Sequence, residues 1–250
     1  EKRVTPKDLP FFLGLMDHPA ARDFPCPTPI HGRDGKVLRN LCGKPAALIS
    51  FLSGLWPKRV TREHCIGVGG AAAKMHLAAE GFELTRKNGL DRAGWQELFV
   101  QTKERANEIQ TGLASKIESE LVFLDENWPN DLPSGIIHAD LFPDNVLMLD
   151  DRVTGLIDFY FACNDFLVYD LAICLNAWCF ERDNSFNVTK ARRMLAAYRR
   201  ERSTSDAEIA ALPTIARGAA IRFLLTRLYD WLNHPEGAFV KPKDPHEYLS

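Results

Sequence analysis

The chain has few of the features that mark membrane-bound or nucleic-acid-binding proteins. Its apolar stretches, such as residues 46–52 and 221–225, are too short to cross a bilayer, and it contains no run of five like charges. The formal net charge of its 250 residues is only −2 at pH 7. No nucleic-acid or membrane partner is therefore expected, and the sequence predicts a cytoplasmic protein.

Cysteine spacing offers neither a zinc site nor a disulfide framework. The six cysteines are spread along the chain without a Cys-x-x-Cys pair or a nearby pair of histidines. At 46% hydrophobic residues, a chain of this length can bury a large core. The cysteines are therefore expected to be buried small hydrophobic side chains.

The chain does carry a short polar loop between apolar segments. An apolar strand ends at Ile137, the loop that follows carries His138 and Asp140, and Asn145 lies five residues after Asp140. An apolar hairpin then brings Asp158 back beside the loop. The pattern predicts that polar side chains from distant positions converge here.

These residue types fit the transfer of a phosphoryl group from ATP. Such a transfer needs a carboxylate that takes or orients the hydroxyl proton of the acceptor, and Mg²⁺ that bridges the nucleotide phosphates. Asp140 suits the first role. Asn145 and Asp158 offer the oxygen ligands that Mg²⁺ prefers, and His138 is expected to brace the loop. We therefore predict ATP and Mg²⁺ as cofactors.

The pattern His-x-Asp-x-x-x-x-Asn, followed by Ile157-Asp158-Phe159, resembles the catalytic and metal-binding segments of the kinase-like superfamily. Ala139 stands where protein kinases have Arg, and Tyr160 where they have Gly. These departures resemble the small-molecule kinases of the aminoglycoside phosphotransferase and choline kinase group. That group also has an Asp-Leu-Ala segment, present here from Asp170. The resemblance implies a bilobal α+β fold of the protein-kinase type, with Asp170 anchoring the catalytic loop.

The same resemblance divides the chain after residue 52. Residues 1–52 are interpreted as the remnant of a small β-rich lobe, incomplete at its N-terminus because no Gly-rich loop precedes it. Residues 53–250 are interpreted as a mainly helical lobe. Between them, Ser50, Phe51 and Leu52 are the predicted hinge that binds the adenine of ATP, although the pattern also fits a buried strand that ends at Gly54.

Apolar periodicity predicts the secondary structure around these segments. Helices are expected over residues 61–80, over 93–127 as one helix or as two with a break near Gly112, and over 166–180, 188–202 with Asn184-Ser185 as its cap, and 206–232. Strands are expected at 37–38 and 45–51, joined by a turn around Cys42-Gly43. Within the first of these helices, residues 67–72 formally match the dinucleotide fingerprint Gly-x-Gly-x-x-Ala. No strand precedes them, so their glycines are interpreted as allowing a close helix contact.

Within the group, the chain is similar over its whole length to the homoserine kinases of the aminoglycoside phosphotransferase-like type. The similarity lies in residues 8–13, 26–29, 45–52, 137–146 and 222–230. It implies transfer of the ATP γ-phosphoryl group to the hydroxyl of L-homoserine, which gives O-phospho-L-homoserine for threonine biosynthesis.

An amino-acid acceptor needs an acid for its ammonium and an arginine for its carboxylate. Asp144 or Asp165 is the candidate acid, and Arg222 or Arg227 is the candidate cation. Positions five apart on a helix diverge by ~140°, so only one arginine is expected to face the ligand while the other pairs internally.

Two alternatives stay open on the sequence. Another small-molecule kinase of the group, acting on methylthioribose, choline or an aminoglycoside, would keep the same catalytic residues. A chain without its phosphate-covering strands could instead be a fragment that binds nucleotide without catalysing transfer.

Overall fold

Helices dominate the part of the chain that the structure describes. The computed structural model describes residues 5–235, 237, 239 and 241–249. Its helices are α1 Leu9–Ala20, α2 Arg62–Ala78, α3 Arg92–Thr102, α4 Ala106–Ile109, α5 Leu113–Asn127, α6 Leu167–Trp178, α7 Val188–Glu201 and α8 Asp206–Leu232. Its strands are β1 Arg39–Leu41, β2 Lys44–Ala46, β3 Ser134–Ile137, β4 Val146–Leu149, β5 Arg152–Leu156 and β6 Cys163–Phe166. They form three antiparallel pairs, β1–β2, β3–β6 and β4–β5.

In the first strand pair, β1 begins later than expected and β2 is shorter than expected. Cys42 and Gly43 both have positive φ, the conformation of a tight two-residue hairpin turn, and this turn sets Leu41 opposite Lys44. The predicted bounds, 37–38 and 45–51, are therefore wrong, because β1 begins at Arg39 and β2 ends at Ala46. Further along, Ile49 makes only an isolated bridge to Pro29.

The glycines of α2 mark a close contact with α7. A Cβ atom at Gly69 would overlap the carbonyl oxygen of Met194 on α7. This confirms that the segment packs against a helix, as interpreted from its apolar period. The predicted cap of α7 is wrong: Asn187, not Asn184-Ser185, accepts the hydrogen bond from the Lys190 N–H.

The remaining helices largely follow the predicted pattern, except that residues 93–127 form three helices, α3, α4 and α5, and not one or two. The break between α4 and α5 falls at Gly112, whose φ is +80°, a conformation that Gly adopts without strain. The capping box of Ser205 and Glu208 opens α8 as expected. Of the described helices, α8 alone is long and apolar enough to cross a membrane, but more than half of its apolar window is buried inside the protein, as in the core helix of a globular fold.

Cysteines behave largely as predicted. All six lie within the described residues as free thiols, and five of them are buried. Cys42 is the exception, because its position in the β1–β2 turn leaves it exposed.

Two strand pairs and a buried helix position the polar loop. The loop leaves β3 after Ile137, and the β4–β5 hairpin begins immediately after Asn145. On the other side of β3, β6 pairs with it and leads directly into α6. The loop is thus held between a hairpin and the first turn of α6.

Candidate active site

Asp140, Asn145 and Asp158 come together as the sequence predicts. The side-chain amide of Asn145 donates hydrogen bonds to the carbonyl oxygen of Asp140, at 2.8 Å, and to its carboxylate Oδ2, at 2.9 Å. The Ile157 N–H donates to the carbonyl oxygen of Asn145 at 3.0 Å. Because Asp158 follows Ile157, the two predicted metal ligands lie at neighbouring ends of the β4–β5 hairpin.

The pKa of the Asp140 carboxyl is shifted upward by some features of its surroundings and downward by others. Burial raises its pKa, electrostatic interactions with Arg222 and His138 lower it, and Asp158 raises it again. The net shift is upward. Asp140 is therefore a stronger base when ionised than a solvent-exposed aspartate.

Asp170 anchors the loop through its main chain. The carboxylate is 0% exposed and accepts hydrogen bonds from the N–H groups of His138 and Ala139, each at 2.7 Å. His76 Nε2 donates to it at 3.0 Å. Burial raises the pKa of Asp170, but the bond from His76 and the other interactions outweigh this and leave the pKa below its usual value. An ionised Asp170 therefore fixes the loop.

His138 braces the loop from the other side. Its Nε2 donates to the carbonyl oxygen of Ile157 at 2.9 Å, and its ring lies 4.7 Å from that of Phe159. The imidazole is fully buried. His138 thus ties the loop to the segment that carries Asp158.

Between these residues, Ala139 has a left-handed backbone with φ +63°. This conformation strains a residue with a Cβ atom, and such strain persists only where the surroundings enforce it. Here the N–H of Ala139 is bound by Asp170 and its carbonyl oxygen accepts from Arg222. The two contacts hold the turn that projects Asp140.

Asp140 lines a cavity of about 260 Å³. Both Arg222 and Arg227 of α8 line it, so the prediction that only one could face a ligand is wrong. The arginine side chains are long enough for both to reach the cavity from different directions on the helix, which the angle between Cα positions does not capture. The other lining residues are Leu90, Phe142, Phe161, Phe223, Thr226, Asp230, Pro242 and Lys243.

Each arginine also has an internal partner. Arg222 is only 1% exposed, and its guanidinium carbon lies 4.6 Å from the centre of the Phe223 ring while Nη1 donates to the Ala139 carbonyl. Nη1 of Arg227 donates to the Asp244 carbonyl at 3.1 Å and pairs with Glu247. Arg222 therefore joins α8 to the catalytic loop, and Arg227 joins α8 to residues 241–249.

Residues 241–249 supply a site residue that the sequence analysis missed. Lys243 Nζ lies 3.0 Å from Asp144 Oδ2 and 5.1 Å from the centre of the Phe142 ring. Lys243 and Asp144 are 99 positions apart, and no motif surrounds Lys243. No sequence signal marked this pair.

Asp165 lies in a different place. It lines a separate cavity of about 630 Å³, together with Trp95, Trp128 and Tyr169. Its Oδ2 accepts from the Asn88 side chain at 2.7 Å, and burial raises its pKa. The structure therefore does not bring Asp165 into the cavity of Asp140.

At the predicted hinge, the backbone of Ser50 is already engaged. Its N–H donates to the Thr28 carbonyl, and its hydroxyl accepts from the Thr28 N–H, both at 2.8 Å. The side chain of Phe51 is almost fully exposed, and that of Leu52 packs over Gly155. Of the three hinge residues, Ser50 thus has no free N–H for a ligand.

Asn145 and Asp158 fit the demands of Mg²⁺. Among the described residues, no group of three or more His, Cys, Asp and Glu could hold a metal ion by itself. Mg²⁺ usually takes one or two protein carboxylates and completes its shell with phosphates and water. One amide oxygen and one carboxylate beside a nucleotide are such a set.

The fold is that of known small-molecule kinases. It superposes with a TM-score of 0.68 on an aminoglycoside phosphotransferase from Alicyclobacillus acidocaldarius, which is 16% identical, over 99% of this chain and 78% of the other. The TM-score to a choline kinase from Cryptosporidium parvum is 0.66, at 14% identity, over 98% of this chain and 74% of the other. At these identities the likeness shows the fold alone, and it confirms the predicted α+β fold of the protein-kinase type.

The sequence itself defines the family. Residues 1–203 match the model of a phosphotransferase enzyme family, and the chain belongs to that family. Within it, the chain is 62% identical to a homoserine kinase from Rhodospirillum rubrum, over 99% of this chain and 77% of the relative. It is 60% identical to a homoserine kinase from Allorhizobium ampelinum, over 100% of this chain and 78% of the relative.

Proposed function

We propose that the protein transfers the γ-phosphoryl group of ATP to the hydroxyl of L-homoserine and forms O-phospho-L-homoserine, a step in threonine biosynthesis. The observation that carries this proposal is the cavity of Asp140, which contains two arginines able to attract a carboxylate and adjoins the Asn145–Asp158 pair. The identity of about 60% to homoserine kinases, over nearly the whole chain, supports the same acceptor.

Asp140 is proposed to orient the acceptor hydroxyl and to receive its proton. The amide of Asn145 holds one carboxylate oxygen, so the side chain meets the acceptor in a fixed orientation. The raised pKa of Asp140 increases its affinity for that proton. His138 and Asp170 keep the loop in place and contact neither reactant.

ATP is proposed to bind beside this loop with Mg²⁺ held by Asn145 and Asp158. When bound, the ion neutralises charge on the nucleotide phosphates. The hinge residues Ser50, Phe51 and Leu52 remain the candidates for the adenine, with Ser50 limited to its carbonyl oxygen because its N–H is bonded to Thr28.

For the acceptor, Arg222 and Arg227 make one end of the cavity positive and favour the carboxylate there. Of the two candidate acids for the ammonium, Asp144 is favoured over Asp165, because Asp165 lies in the separate cavity. We also propose that residues 1–52 and 53–250 form the small and large lobes, and that the protein acts in the cytoplasm.

The first test measures release of ADP from Mg·ATP by the purified protein. Turnover is expected with L-homoserine and not with methylthioribose, choline or kanamycin. Turnover with one of the other acceptors would replace the proposed substrate, and nucleotide binding without any turnover would favour a binding protein.

The second test replaces the proposed base. Asp140→Asn is expected to lower kcat by about 10²- to 10⁴-fold, because it removes the group that takes the proton. Asp150→Asn, in the exposed turn of the β4–β5 hairpin, is the matched control and should keep full activity. Normal kcat in a folded Asp140→Asn protein would contradict the assignment.

A further inference from the structure

An ion pair lies where the cavity of Asp140 meets a second cavity. Lys243, Phe142 and Arg227 line both the cavity of Asp140 and a neighbouring one of about 540 Å³, which Asp144 also lines. The Lys243 ammonium and the Asp144 carboxylate are 3.0 Å apart at this junction. One positive and one negative group thus face the space next to the proposed base.

We infer that Lys243 and Asp144 together bind the head group of the acceptor, with Lys243 Nζ on the α-carboxylate and the Asp144 carboxylate on the α-ammonium. The inference rests on the proposed function and names the residues that recognise an α-amino acid. It makes Lys243 the direct contact of the substrate carboxylate and gives Asp144 a partner in the recognition of the substrate.

Both arginines already bind other groups of the protein. Arg222 is buried and bonded to the Ala139 carbonyl, and Arg227 is bonded to the Asp244 carbonyl and to Glu247. The side chain of Lys243, in contrast, is 56% exposed. Lys243 can therefore reach a ligand without giving up a buried contact, while the arginines supply a positive field behind it.

Separating the Lys243–Asp144 ion pair costs little free energy. Both side chains are about half exposed, at 56% for Lys243 and 52% for Asp144, and ion pairs of this kind contribute little to stability. A zwitterion that enters between them gives each charge a new opposite partner. The exchange replaces one ion pair by two and leaves no charge unpaired.

Both groups are held at a fixed place relative to Asp140. Asp144 precedes the metal-ligand candidate Asn145 in the catalytic loop. The segment of Lys243 is fastened to α8 by the Arg227–Glu247 pair and by the stacking of Tyr248 on Phe223, whose ring centres are 5.8 Å apart. Since only two methylene groups separate the hydroxyl of homoserine from its α-carbon, its head group must bind close to the base.

Two analogues of homoserine, each without one of its charged groups, test the contacts of Lys243 and Asp144 separately. 3-Amino-1-propanol is homoserine without its carboxylate, and 4-hydroxybutyrate is homoserine without its ammonium. Lys243→Met is expected to lower kcat/KM for homoserine about 10- to 100-fold, mainly through KM, and to leave 3-amino-1-propanol unaffected. Asp144→Asn is expected to lower kcat/KM for homoserine similarly and to leave 4-hydroxybutyrate unaffected.

Two further variants sharpen the test. Lys243→Arg keeps the charge and should restore part of the homoserine preference. Lys241→Met removes a lysine two positions away that lies outside both cavities, and it should leave all acceptors unchanged.

Several results would overturn the inference. If Lys243→Met weakens turnover of homoserine and 3-amino-1-propanol equally, or raises KM for ATP, Lys243 acts on the phosphates and not on the carboxylate. Unchanged homoserine kinetics in both variants would also refute it while leaving the proposed function intact. A wild-type protein that phosphorylates a different acceptor but not homoserine would refute both.

Discussion

Asp170 shows how one buried charge organises the site. Three donors surround its carboxylate, two from the loop backbone and one from His76, so the charge is buried without being unpaired. Removing it would leave the N–H groups of His138 and Ala139 without acceptors inside the protein. The stability of the protein and the position of the base thus depend on the same side chain.

Asp170→Ala is expected to reduce the free energy of unfolding by about 3–5 kcal/mol, because it breaks a buried charged network. Urea denaturation at pH 7 measures this. The pKa of Asp170 is lower in the folded protein than in the unfolded chain, where it is about 3.9. The stabilisation of the folded state by Asp170 is therefore complete above pH 3.9 and is lost as the pH falls through the pKa of the folded protein. Asp170→Ala should therefore lose less stability than the wild type over that acid range.

The exposed Asp125→Ala is the control, and a loss of about 1 kcal/mol or less is expected there. An equally small loss for Asp170→Ala would show that the loop does not depend on its anchor.

The pH dependence of activity tests the neighbours of Asp140. Because its pKa is raised, the acid limb of the kcat/KM profile should lie at higher pH than for a free aspartate. Arg222 lowers this pKa, so Arg222→Met should move the acid limb further up, while Arg222→Lys, which keeps the charge, should move it less. A limb that stays in place or moves down in Arg222→Met would contradict this electrostatic assignment.

Among the elements, α2 shows how tightly the helices pack. Gly69 faces α7, where any Cβ atom would meet the Met194 carbonyl, whereas a Cβ atom at the adjacent Gly70 meets nothing within 4 Å. Two glycines in one helix turn therefore have different physical roles. One permits a contact between backbones, and the other only lowers helix propensity.

Gly69→Ala is expected to destabilise the protein by about 1–3 kcal/mol through overpacking, and Gly70→Ala to stabilise it by about 0.5–1 kcal/mol. Thermal or urea unfolding of the two variants measures the difference, and each serves as the control for the other. Equal effects would mean that α2 and α7 do not approach each other as described.

The sequence predicted helices better than strands, for reasons that particular residues show. The Ser205 capping box and the long apolar periods of α2, α6 and α8 are local signals, and these helices lie where they were expected. The turn at Cys42-Gly43 was predicted correctly, but the bounds of β1 and β2 depend on a pairing of only three residues on each strand, which is too short for an alternating pattern to show. Asn184 gave an equally good local match for the cap of α7, but it lies in the turn at residues 182–184, where its N–H donates to the Glu181 carbonyl oxygen, and the helix begins only after Asn187.

At the scale of the whole molecule, the site joins segments from different parts of the chain. The catalytic loop and the hairpin were found because His138, Asp140, Asn145 and Asp158 lie within one short stretch. Lys243 was missed, because only the folding of residues 241–249 onto α8 brings it to Asp144. That both Arg222 and Arg227 line this cavity likewise depends on the reach of their side chains, which helical spacing does not give.

Nucleotide binding should stabilise the whole protein in a metal-dependent way. At an Mg·ATP concentration of 100 Kd, binding adds about 2.7 kcal/mol, which for a protein of this size raises Tm by several degrees. Asp158→Asn removes one proposed ligand of the ion, so most of this increase should vanish, as it should for the wild type in EDTA. Differential scanning fluorimetry measures both, and an undiminished increase in Asp158→Asn would contradict its role.

The anchoring of the loop through the N–H groups of His138 and Ala139 has a consequence for how the protein can evolve. Every amino acid except proline carries a backbone N–H. The hydrogen bonds of Asp170 therefore depend on the backbone conformation of the loop and not on which side chains it carries. Residues at these two positions can be exchanged during divergence without detaching the loop from Asp170, provided that position 139 tolerates its left-handed turn. The geometry needed for phosphoryl transfer can thus be inherited while the surrounding side chains adapt to new acceptors.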